Sequence, residues 1–107
     1  MSRKTARGKA LDIPKSVKDK VWARDGGCCV VCGNGHNVMP NAHYIRRSQG
    51  GLGIEKNIIT LCNVCHFKFD SGTITERNGI GVIIRAYLKS KYPDWSKDDL
   101  IYKKGRF

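Results

Sequence analysis

Two Cys-x-x-Cys pairs, Cys29/Cys32 and Cys62/Cys65, constrain this chain more than any other feature. Each has the short bite of a metal knuckle, two thiolates at the ends of a tight turn, and Gly33 and Gly35 after the first pair let the backbone curl around them. Zinc takes four soft ligands in a tetrahedron, and the two pairs together supply four thiolates. The 29 residues between Cys32 and Cys62 exceed the spacing of a simple zinc ribbon, so the clamp encloses further structure. A fifth cysteine, Cys28, makes the count odd and offers an alternative register for the first knuckle. The competing account is a redox site, which needs only one pair and a βαβ setting.

The chain has 107 residues, enough for one small domain whose modest core gains from reinforcement. Twenty Lys and Arg against 9 Asp and Glu leave a net charge of +11 with the histidines neutral. Of the anionic partners such an excess could serve, nucleic acid ranks ahead of an acidic protein or a membrane surface. No apolar run approaches the ~18 residues of a membrane span, and the basic N-terminus has no apolar stretch behind it. Neither secretion nor a membrane partner is expected. In a reducing cytoplasm, the expected location, paired Cys-x-x-Cys elements mean metal and not disulfides.

Residues 1–11 are small and basic without a period and read as a flexible arm; 12–107 read as a single α+β domain. Pro14 and the Val17/Val21 repeat predict a short amphipathic helix stopped at Asp25-Gly26-Gly27. Lys15, Lys18, Asp19 and Arg24 fall on its exposed face, and Trp22 packs against the first knuckle. A strand over 38–46 and another over 57–61 can pair as a hairpin across a flexible loop at 48–53. From Cys62 to Phe69 the period becomes helical, with Phe67 and Phe69 available for burial and His66 and Asp70 four apart on one face. A further helix spans 81–91 and stops before Pro93; Trp95, Leu100, Ile101 and Tyr102 form a short apolar patch before a basic tip.

His43, Asn57 and His66 lie inside or just beyond the clamp. Singly, each has an ordinary explanation: a satisfied strand histidine, a turn-forming asparagine, a zinc ligand standing in for a cysteine. In order, they read Arg24-Asp25-Gly26-Gly27, Cys29-x-x-Cys32-Gly33, Ala42-His43-Tyr44-Ile45, Gly50-Gly51, Asn57 and Leu61-Cys62-x-x-Cys65-His66. This series resembles the HNH endonuclease family over Val21 to Gly72, about half the chain.

The resemblance implies a ββα-metal core, a hairpin packed on one helix and stapled by a four-cysteine zinc, with 73–107 as a helical extension. It implies that His43 is the general base, that Asn57 ties the loop to the hairpin and orients the imidazole, and that His66 binds one catalytic divalent ion within reach of Asp70. A site of one imidazole and one carboxylate suits Mg²⁺ completed by waters and phosphate, while Mn²⁺ or Ni²⁺ accepts the imidazole more readily. Arg46 and Arg47, three and four residues past the base, are placed to grip flanking phosphates of DNA. The small size and basic arms resemble compact HNH proteins of phages and prophages, which implies the cytoplasm of a bacterial host and, as partners, terminase and packaging proteins. One position departs from the family pattern: Ala42 stands where a His, Asp or Glu metal ligand often precedes the base. The rival expectation is therefore a non-catalytic zinc-stapled DNA-binding module or packaging adaptor.

Overall fold

A computed structural model describes residues 5–103. In chain order these form α1 (Ala6–Leu11), α2 (Lys15–Asp25), β1 (Val38–His43), β2 (Ile58–Cys62), α3 (Asn63–Ser71) and α4 (Ile74–Lys91), with single 3-10 turns at Arg47–Gln49 and Lys97–Leu100. Helices and one two-stranded antiparallel sheet make the mixed α+β architecture expected from the sequence.

The hairpin is pinned by its register: Val38 lies opposite Cys62, Met39 opposite Leu61, Ala42 opposite Ile59 and His43 opposite Ile58. Three steps on β1 match two on β2 between Met39 and Ala42, so β1 carries a bulge at Pro40–Asn41. Proline has no N–H to give to the ladder, which makes this a natural place for the ladder to break and re-aim the strand. Beyond the bulge Ala42 is fully buried, while His43 lines a surface groove. The strand ends there and not at Arg46: after a last ladder bond from the Tyr44 N–H to the carbonyl of Asn57, the Ile45 N–H bonds to the Asn57 side chain and not to a strand carbonyl.

Chain termination signals explain α2 and α3. Gly26, at φ 65°, closes α2 in the left-handed conformation that glycine adopts without a Cβ penalty. Cys62 ends β2 and caps α3 at once, its Sγ accepting the N–H of Cys65, so no linker separates strand from helix. The helix expected over 81–91 instead begins at Ile74, two turns earlier. Thr73 and Glu76 form a reciprocal capping box there, and the early turns run through Gly79 and Gly81, whose low helix propensity hides them from a periodicity reading.

The core joins Ala42, Ile59 and Leu61 of the hairpin to Phe69 of α3, to Ile80, Ile84 and Leu88 along one stripe of α4, and to Trp95 and Leu100. Tyr44 seals its edge, stacked on Phe69 with centroids 6.3 Å apart and edge-on to Trp95 at 5.7 Å. Phe67, expected to be available for burial, is 67% exposed, because it sits two residues from Phe69 on the opposite side of α3. Trp22 is half exposed too and lies across Gly27, two residues before the knuckle.

Two further expectations are overturned. Arg24 does not face solvent: it pairs at 2.7 Å with Asp25, whose side chain is fully buried, and donates to the carbonyls of Glu55 and Ile58, both at 2.7 Å. Asp25 in turn accepts from the Thr60 N–H and the Tyr87 hydroxyl. Burial alone would lower the Arg24 pKa, but the Asp25 carboxylate outweighs it and the shift is upward; burial and Asp25 push the Tyr87 phenol up to about 12. The pair bolts α2 to β2 and α4, and removing one member of a buried pair typically costs about 3–5 kcal/mol.

The N-terminal arm and the glycine loop also differ from expectation. Residues 1–4 lie outside the described part, as does the basic tip beyond Lys103, but 6–11 are helical, with Thr5 accepting the Gly8 N–H and Leu11 buried. The loop is packed, not flexible: Gly50, Gly51 and Gly53 are all buried. A Cβ on Gly51 would overlap the Ile45 carbonyl, and one on Gly53 would overlap the Asp12 carbonyl. Gly53 donates to the Ala10 carbonyl, Leu52 to that of Leu100, and Tyr102 to that of Gly50. Glycine here permits backbones to touch, and the segments at 10–12 and 100–102 are both laced to the loop. No helix among the described residues is long and apolar enough to cross a membrane.

Candidate metal centre and active site

The four predicted cysteines meet. Cys29, Cys32, Cys62 and Cys65 place their sulfurs within 4.8 Å of one another, and Cys28 is outside the group, which settles the register. Four sulfurs about 2.3 Å from a common centre would be separated by about 3.8 Å in a tetrahedron. Cys32 Sγ and Cys62 Sγ stand 3.7 Å apart, so the cluster could hold a metal ion such as zinc. The knuckle turns preorganise it: the Cys29 N–H donates to the Asn34 carbonyl and the Cys29 carbonyl accepts the Gly33 N–H, while the second pair sits at the N-terminus of α3.

The thiols titrate unequally. Burial raises the Cys29 pKa, but backbone N–H groups of Cys32, Cys62 and Val31 outweigh it and bring it down to about 7. Burial and the neighbouring thiols, Cys62 and Cys29 among them, drive Cys65 strongly upward. One thiolate forms readily and opposes the next, the situation a bound cation relieves.

Asp12, Lys18, Asn41, His43, Arg47 and His66 line an open groove of about 780 Å³, together with Asp70 and Arg46. The sequence readings of His43, His66, Asp70, Arg46 and Arg47 therefore converge on one surface. His66 Nε2 and Asp70 Oδ2 are 3.1 Å apart, one helical turn from each other on α3. No third His, Cys or carboxylate joins them among the described residues. Ala42 adds nothing, since its methyl is fully buried in the core.

His43 Nε2 is 2.9 Å from the carbonyl oxygen of Leu11. A carbonyl can only accept, so Nε2 carries the hydrogen and the neutral ring keeps its lone pair on Nδ1. Burial lowers the His43 pKa, the Leu11 carbonyl opposes this, and Arg47 adds to the lowering. The ring is accordingly neutral at pH 7. Asn57 lies elsewhere, fully buried: its Oδ1 accepts the Ile45 N–H at 2.7 Å, and its Nδ2 donates to the carbonyls of Ile45 and Leu52. It ties the end of the strand to the glycine loop and touches no groove.

The arginines are partly committed. Arg46 donates to the carbonyls of Phe69 and Asp70, closing the end of α3, and Arg47 pairs with Asp12 at 3.1 Å. Compared with protein-family models, with curated proteins and with solved structures, the chain matches none. Three residues at the groove escape a reading of the sequence. Leu11 acts through its backbone and leaves no signature, and Asp12 falls outside every motif. Asn41, within the bulge, has a buried Oδ1 with no hydrogen-bond partner among the described residues.

Proposed function

We propose that this protein is a metal-dependent HNH endonuclease that hydrolyses DNA phosphodiester bonds, nicking or cutting with little sequence preference. The observation that carries the reading is the shared groove: a neutral imidazole of defined tautomer, His43, faces the same space as the His66–Asp70 pair. The hairpin followed by α3 then serves as a ββα-metal core, with a structural zinc held by Cys29, Cys32, Cys62 and Cys65 beneath it.

His43 Nδ1 takes the proton of the attacking water, and the Leu11 carbonyl stabilises the imidazolium that forms. Asn57 acts as a positioning residue, holding the backbone that follows His43 against the glycine loop. Lys18 and Arg47 on the groove wall offset the charge of flanking phosphates. A Mg²⁺, Mn²⁺ or Ni²⁺ ion held by His66 and Asp70 would supply the Lewis acidity that stabilises charge on the phosphate and leaving oxygen. No recognition helix or base-reading element is evident among the described residues, hence the low sequence preference.

Supercoiled plasmid incubated with the zinc-loaded protein and each of the three metals is expected to become relaxed or linear with at least one, and EDTA is expected to stop cutting while DNA binding persists. The buried methyl of Ala42, which leaves only two protein ligands of the usual kinds, favours one rival, a non-catalytic DNA-binding module or packaging adaptor in the cytoplasm of a phage host. Salt-sensitive binding without cleavage in any metal would select that rival.

A further inference from the structure

A second trough, of about 410 Å³, runs beside the His43 groove between α4, the Arg47–Gln49 turn and the C-terminal segment. Four cations line it, Arg46, Arg77, Arg85 and Lys97, with the amides of Gln49 and Asn78, and no carboxylate does. The segregation is built into the fold. Asp98 and Asp99, next to Lys97, face a separate recess with Ala10 and Leu52, and Glu76, next to Arg77, lines another with Phe67 and Lys68. Arg46 lines both the trough and the His43 groove, so the two adjoin across its side chain, which Phe69 and Asp70 carbonyls hold in place.

We propose that this trough is the track along which one strand of duplex DNA lays its phosphate backbone on leaving the His43 groove, with Arg77, Arg85 and Lys97 as phosphate contacts. The choice of DNA rests on the nuclease reading above. Along α4, Arg77 and Arg85 are separated by about 12 Å, at 1.5 Å per residue, which is the axial rise of roughly three to four nucleotides of one strand. Gly81 lies between them and leaves the floor open; a Cβ there would meet only the Phe69 ring, at an ordinary 3.6 Å. Lys97 is steadied with its ammonium 5.8 Å from the centre of the Tyr44 ring.

The test is fluorescence anisotropy of a labelled duplex in EDTA, across a salt series, with zinc content and thermal melting checked for every variant. The combined Arg77→Ala, Arg85→Ala, Lys97→Ala protein is expected to weaken binding by about tenfold or more and to flatten the slope of log affinity against log salt by about 2–3, since each lost phosphate contact removes about 0.9. Gly81→Glu is expected to weaken binding by placing a carboxylate in the trough without deleting a cation. Lys20→Ala, which removes one positive charge from the exposed face of α2, is expected to bind as the parent does. An unchanged slope in the combined variant, an equal loss in Lys20→Ala, or tighter binding of single-stranded RNA than of the duplex would overturn the proposal. Parent protein that shows the predicted slopes but cuts no plasmid would support the track and remove the nuclease reading alone.

Discussion

His43 and the carbonyl of Leu11 work as a unit. The hydrogen bond fixes which nitrogen is basic, and burial keeps that nitrogen unprotonated at neutral pH. Because the folded-state pKa lies below the usual 6.5, the active, neutral form persists as pH falls through that value and is lost only lower down. The pH profile of kcat/KM, measured at subsaturating DNA, should therefore have its acid limb centred below 6.5; a midpoint above that value would contradict the burial argument. At this scale the sequence is informative wherever chemistry resides in a side chain. Two Cys-x-x-Cys pairs, one histidine before the loop and one after the last cysteine are legible because few other residue types bind metal or carry protons near neutrality. Leu11 is not, since a backbone carbonyl has no residue type of its own, and the position of Arg24 on its helix gives no hint of the buried carboxylate beside it.

At the scale of elements, the hairpin and α3 can be read from β-branched runs and the change of period, whereas α1 cannot. Six residues of small and basic character have too little periodicity to declare a helix, and what orders them is tertiary: a buried Leu11 and a loop glycine that admits the backbone just after it. The glycine loop shows the same ambiguity in reverse, because a run of glycines signals either mobility or close approach. The structure favours close approach, and that can be checked. Gly53→Ala should force the Asp12 backbone away and lower stability by about 1–3 kcal/mol, in the range of an overpacked interior. Urea unfolding of the zinc-loaded protein would show the midpoint fall with little change in slope; an unchanged midpoint would mean the loop yields as a flexible one does. The start of α4 is visible in principle, since Thr73-x-x-Glu76 is a capping-box pattern, but two glycines in its early turns mask it.

For the whole molecule, the four-thiol cluster joins the first knuckle to the junction of β2 with α3, and thereby sets the base of the hairpin against the helix that carries His66 and Asp70. Structural zinc in small domains contributes an apparent ~10–16 kcal/mol at pH 7, comparable to the whole ~5–15 kcal/mol net stability of an ordinary domain. Stripping the metal under strong chelation should thus abolish the far-UV circular dichroism of the helices, and restoring zinc should bring it back; full helicity without metal would show that the core stands alone. Among the described residues, cations line two adjoining troughs, Lys18, Arg46 and Arg47 in one and Arg46, Arg77, Arg85 and Lys97 in the other. The central claim, that this frame exists to let one imidazole activate water against a DNA phosphate, is tested most directly by single-turnover plasmid cleavage with zinc-loaded His43→Ala at saturating protein. Loss of a general base predicts a rate lower by about 10²–10⁴ with DNA affinity retained. Cleavage as fast as the parent's would contradict it.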